Sequence, residues 1–135
     1  MSTPQKILEI VEPIRMCVTA LARRDKHTLA SIVPNWQEYG PTVMEYMRAY
    51  PRRIVQHPDE AFLAIEFRSK EGDYANLPEG WKFPVIYIYE IEPDRWDIDA
   101  FLWTDQGLAD VAASLVVIDY SAGKRISEFH DIGVH

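Results

Sequence analysis

The residues of this chain that could do acid–base or metal chemistry gather in its second half. Glu90, Asp97 and Asp99 flank a Pro93-Asp94 turn. Carboxylates brought together in this way can hold a divalent cation, or act as acid and base if one of them is desolvated. Asp119, His130 and Asp131 form a second set, because a histidine steered by a carboxylate is the usual general base. Asp99 and His130 are thus the catalytic candidates, and Glu90, Asp97 and Asp99 the metal candidates. The alternative for the first set is solvated surface, since like charges on exposed strands are tolerated in water, and for the second it is structural polar pairing. No nucleophile stands beside His130 in the sequence.

Cys17 is the only cysteine, so neither an internal disulfide nor a multi-cysteine zinc site is available. It falls on an apolar helical stripe, where a free thiol behaves as a small hydrophobe. The chain has no Gly-rich phosphate loop, GxSxG, HExxH, CxxC or calcium-loop pattern, and no cofactor is implied. Trp36, Tyr39, Tyr46, Tyr50, Tyr87 and Tyr89 supply large rings with polar tips. Trp36, Tyr46, Tyr50, Tyr87 and Tyr89 are the candidates to line a ligand pocket between helices and sheet, or else they fill the core.

The elements that position these groups follow from periodicity. Ile7, Ile10, Val11, Ile14, Cys17, Val18 and Leu21 recur at helical spacing after Thr3-Pro4, with a kink or restart expected at Pro13. Asp25 caps a second, short helix that Pro34 closes, and Gly40-Pro41 starts a third that Pro51 ends. Beyond His57-Pro58 the period becomes two, giving strands over about 61–67, 82–92, 96–104, 110–119 and 126–134. The expectation is one α+β domain over residues 1–135, with a helical layer over 4–51 and a twisted antiparallel sheet of four to five strands over 60–134. Short connections make its last four strands a β-meander.

If the Pro93-Asp94 turn sets Glu92 against Arg95, then Tyr89 faces Ile98 and Tyr87 faces Ala100 on the helix side. The other side then carries Glu90 opposite Asp97 and Ile88 opposite Asp99, and the apolar set Ile86, Ile88, Phe101, Trp103, Leu115 and Val117. So apolar a face needs a cover: a loop, a second copy in a homodimer, or another protein.

Charge narrows the partners. Residues 1–80 carry a net −1 and residues 81–135 a net −6 of the chain's −7. Lys and Arg are too scattered to follow a phosphate backbone, so nucleic acid is not expected as a partner. An acidic half favours a basic protein or a cationic ligand. No run of apolar residues approaches the roughly 18 needed to span a membrane, and no signal-peptide pattern opens the chain. The expected location is the cytoplasm, where a lone thiol stays reduced.

The stretch from Ala100 to Asp119, with Leu102-Trp103-Thr104, then Ala109-Asp110 and an apolar strand, together with Tyr39-Gly40 and the ending Asp131-Ile132-Gly133-Val134, resembles a family of small uncharacterised bacterial α+β proteins. The layout of helices followed by a long meander is also similar to the cystatin and nuclear-transport-factor-2-like folds. That resemblance implies a cone of sheet around a helical layer, which hosts pocket enzymes, scaffolds and immunity proteins alike. The expected activity is a non-enzymatic interaction or accessory role, inhibitor- or immunity-like, through the acidic sheet. The alternative is a small-molecule-binding or catalytic pocket.

Overall fold

The computed structural model describes residues 3–134. Three helices come first: α1 (Gln5–Arg23), α2 (Lys26–Ile32) and α3 (Trp36–Ala49). Seven strands follow: β1 (Ile54–Val55), β2 (Ile65–Arg68), β3 (Tyr74–Asn76), β4 (Ile86–Glu92), β5 (Arg95–Thr104), β6 (Gly107–Tyr120) and β7 (Gly123–Val134). A 3-10 turn, Asp59–Leu63, lies between β1 and β2. Among the described residues no helix is long and apolar enough to cross a membrane.

The apolar stripe of α1 is buried along its whole length, from Ile7 to Leu21. The helix does not restart at Pro13, whose main cost is the hydrogen bond it cannot donate to the Glu9 carbonyl. It ends where Arg24 turns left-handed at φ 55°, and the Arg24 guanidinium donates to Ala22 O (2.9 Å) and across to Ile54 O of β1 (3.1 Å). Asp25 caps α2 as its type predicts, accepting from Thr28 N at 3.1 Å. The third helix begins a turn earlier than Gly40-Pro41, at Trp36, and carries Pro41 inside it. Asn35, just before it, spends its side chain elsewhere. Its amide exchanges two hydrogen bonds with the Phe129 backbone (2.9 and 2.8 Å), clamping the helical layer to the edge strand β7 as one more peptide unit would.

The sheet runs β3-β2-β4-β5-β6-β7, and β1 adds to the far end of β5. The expected α+β class and antiparallel β4–β7 meander are present, but the sheet has more strands than expected and is mixed, because β2 pairs β4 in parallel. Strands of two and three residues, as in β1 and β3, are too short to leave a period in the sequence. The stretch 61–67 that alternates like one strand is divided: its first half is the 3-10 turn and its second half β2.

One residue changes the expected pairing. Glu92 does face Arg95, but Ile91 bulges out, so Glu90 faces Trp96, Tyr89 faces Asp97, Ile88 faces Ile98 and Tyr87 faces Asp99. Because side chains alternate with period two, one extra residue moves all of β4 beyond it to the opposite face. Ile86 and Ile88, expected on the outer face, therefore lie in the core at 1% and 0% exposure. Leu115 and Val117 are corrected likewise: they pair with Ile98 and Trp96 and are buried under the helices. Phe101 and Trp103 remain on the outer side, where β5 keeps strict alternation.

Candidate functional site

The bulge at Ile91 builds the outer face. It turns Tyr87 and Tyr89 outward beside Asp99 and Asp97, and Tyr87 meets Phe101 edge-on with ring centroids 5.7 Å apart. Two further bulges, at Ser127 and His130 of β7, curl the neighbouring strands. The curvature leaves a groove of about 500 Å³ lined by Tyr89, Ile91, Arg95, Asp97, Asp99, Ser114, Val116, Glu128 and His130.

Carboxylates dominate this groove: Asp97, Asp99 and Glu128 stand against the single guanidinium of Arg95. The Ser114 hydroxyl donates to Asp99 Oδ1 at 2.6 Å, which fixes that carboxylate. Asp97 Oδ1 is sealed from solvent and has no hydrogen-bond partner, a deficit that a donor entering the groove, with rotation of the carboxylate, would relieve. Burial, followed by the charge of Asp99, holds the Tyr89 hydroxyl above its ordinary pKa. Burial and then Glu66 do the same for Tyr87, so both phenols are neutral hydrogen-bonding tips on aromatic surface.

The candidate metal set is taken apart. Asp97 and Asp99 share the groove, but Glu90 lies on the inner face, where it accepts from Trp96 Nε1 (3.1 Å) and pairs with Lys6 Nζ (2.8 Å). Those bonds, Lys6 foremost, hold its carboxyl below the ordinary range. Among the described residues no group of three or more His, Cys, Asp or Glu is arranged to hold a metal ion. Asp99 and His130 do line one groove, yet on an open sheet and with the Asp99 carboxylate engaged by Ser114. Asp119 lies at the far end of the β6–β7 hairpin beside Lys124, and Asp131 pairs with Ser114, so the second acid–base set is dispersed along the ladder.

The aromatic candidates do not meet in one cavity either. Trp36 packs on Gly40 within α3, and Tyr87 and Tyr89 face outward. Tyr46 and Tyr50 line a separate cleft of about 560 Å³ with Arg52, Leu108, Asp110 and Val134, where the Tyr50 hydroxyl donates to Asp110 Oδ1. A third groove, about 640 Å³ and mostly apolar, lies between α1 and the start of β7 and is lined by Pro13, Met16, Ile32, Pro34 and Ile126 among others.

Cys17 is fully buried, and burial pushes its thiol up to about 12. The native protein is therefore expected to resist alkylation at pH 8 and to take up one equivalent of iodoacetamide only after denaturation, read by intact mass.

Ile91, Arg95, Ser114, Val116 and Glu128 complete the groove, and none of them is a site candidate in the sequence. Ser114 shows there as a break in the apolar run Val111–Ile118, and that break does not reveal which strand lies beside it. No protein-family model, curated protein or solved structure matches the chain.

Proposed function

We propose that this protein is a non-enzymatic interaction domain whose outer sheet face binds a basic segment of a partner protein. The observation that carries the reading is the groove itself, three carboxylates against one arginine beside the half-buried rings of Tyr87, Tyr89 and Phe101 on the outer face of the sheet. Aromatic surface supplies the area and the carboxylates supply charge complementarity, which governs encounter rate and choice of partner more than total affinity. The negative charge concentrated in residues 81–135 acts in the same direction at long range. An inhibitor- or immunity-like protein that presents acidic groups to a basic target is one instance of this class. The buried thiol suits a reducing cytoplasm.

A lysine- and arginine-rich peptide tests the reading by titration calorimetry at low and high salt. The wild type is expected to bind it, the Asp97→Asn/Asp99→Asn double variant to bind roughly tenfold more weakly with a shallower salt dependence, and a glutamate-rich peptide of equal length not to bind. Equal affinity of wild type and double variant, or no binding by the wild type, would sink it. The mostly apolar groove between α1 and β7 favours a second reading, a small apolar ligand, and heteronuclear shifts at Met16 and Ile126 on adding such a ligand would report it.

A further inference from the structure

At one end of the outer face Trp103 is covered by chain that arrives from two directions. The segment from His57 through the 3-10 turn brings the His57 ring (centroid distance 6.1 Å to Trp103) and Phe62 (5.2 Å to His57). The loop before β4 brings Trp81, 5.5 Å from Trp103, and Glu60 of the turn accepts the Trp81 Nε1–H at 3.2 Å, tying the two pieces together. His57 is only 4% exposed. Its Nε2 lies 2.8 Å from the Phe101 carbonyl, at the place on β5 where pairing passes from β4 to β1. A carbonyl only accepts, so the proton sits on Nε2 and Nδ1 is the bare nitrogen. Nδ1 is buried with no partner.

We propose that His57 is an acid-sensitive latch: protonation at Nδ1 releases the strap formed by the His57–Leu63 segment and Trp81, and uncovers Trp103 beside Phe101. A proton on Nδ1 creates a donor with no acceptor and a cation enclosed by Phe62 and Trp103, and attraction to ring faces does not replace its lost hydration. The ionisable residues nearest in the chain on the surrounding elements are Arg53 before β1, Asp59 and Glu60 on the turn, Glu79 and Lys82 about Trp81, Asp99 on β5 and Asp105 in the turn after it, with Arg95 and Asp97 farther along β5. None of them bonds the ring, and Glu60 is engaged by Trp81. Burial accordingly lowers the His57 pKa, opposed only by its bond to Phe101. The open strap binds the proton near the ordinary histidine value and the closed strap does not. Lowering the pH below about 6.5 therefore favours opening, by up to about tenfold per pH unit until the closed form itself protonates.

Amide hydrogen exchange between pH 7.5 and 5, corrected for intrinsic rates, reads the strap with no partner present, so it stands or falls separately from the binding reading. Protection over residues 57–64 and 78–86 is expected to fall by up to about tenfold per pH unit in the wild type, while α1, β5 and β6 hold theirs. His57→Gln, which keeps a donor for Phe101 O and cannot titrate, is expected to remove that dependence. Strap protection independent of pH in the wild type overturns the proposal, as does an equal fall in His57→Gln or a loss spread evenly over α1, β5 and β6.

Discussion

Replacing Trp96 by alanine is expected to lower the free energy of unfolding by about 3–5 kcal/mol, the range for truncating a large buried aromatic. Trp96 is the largest fully buried side chain, at 0% exposure on the inner face of β5. Its indole N–H donates to Glu90 Oε1, and the ammonium groups of Lys6 and Lys124 lie 5.7 and 5.9 Å from its ring centroid. Lys6 pairs with Glu90 and Lys124 with Glu9, so groups from α1, β4 and β7 gather about this one ring of β5. The substitution leaves a cavity and also strips the Glu90 carboxylate of one donor. Trp96→Phe keeps most of the volume but loses the N–H together with two ring carbons, and is expected to cost about 1–2 kcal/mol beyond its change in volume. Urea unfolding followed by circular dichroism separates the two; similar losses for both variants would mean the hydrogen bond rather than the cavity dominates. The same site sets a pH dependence. Glu90 has a lowered pKa in the folded state, so its contribution is complete above the ordinary carboxylate range and is lost as pH falls through the depressed value.

Gly40→Ala is expected to destabilise by about 1–3 kcal/mol, although alanine is the better helix former by roughly 1 kcal/mol. A Cβ at Gly40 would stand 2.6 and 2.7 Å from Trp36 Cε2 and Nε1, on the rigid indole and not on a flexible tip. Trp36 is itself 7% exposed and packed in the core cluster, so it cannot simply swing aside. Gly40 also precedes Pro41 inside α3, and a side chain before proline resists the helical region. The midpoint of thermal unfolding reads the loss, and Trp36→Ala in the Gly40→Ala background tests the cause: if the clash dominates, the two losses combine to less than their sum.

Much of the fold is legible where the signal is local. The apolar stripe of α1, the Asp25 cap and the alternation of β5 each state their own structure, and the residues of β5 assigned to the helix side, Ile98 and Ala100, are buried there, as are Trp96 and Leu102 in step with them. The site was less legible because it depends on β4, whose sequence alternates Ile-Tyr-Ile-Tyr and offers an apolar face on either side. A two-residue turn at Pro93-Asp94 was visible, but the bulge beside it was not, and the bulge decides which alternate set is inside.

The acidic character of the sheet half, the α+β class and the placing of Asp97 and Asp99 beside the Pro93-Asp94 turn were thus determined by sequence alone, since composition and local period do not depend on partners. Tertiary structure decided that Asp97 and Asp99 stand with Tyr87 and Tyr89 on an open face while Glu90 turns inward to Trp96. The physical reason is desolvation. Burying Ile86 and Ile88 satisfies the core, whereas the opposite register would have placed two phenol hydroxyls there in need of partners, and the cost of avoiding it is one exposed isoleucine, Ile91, at 51%.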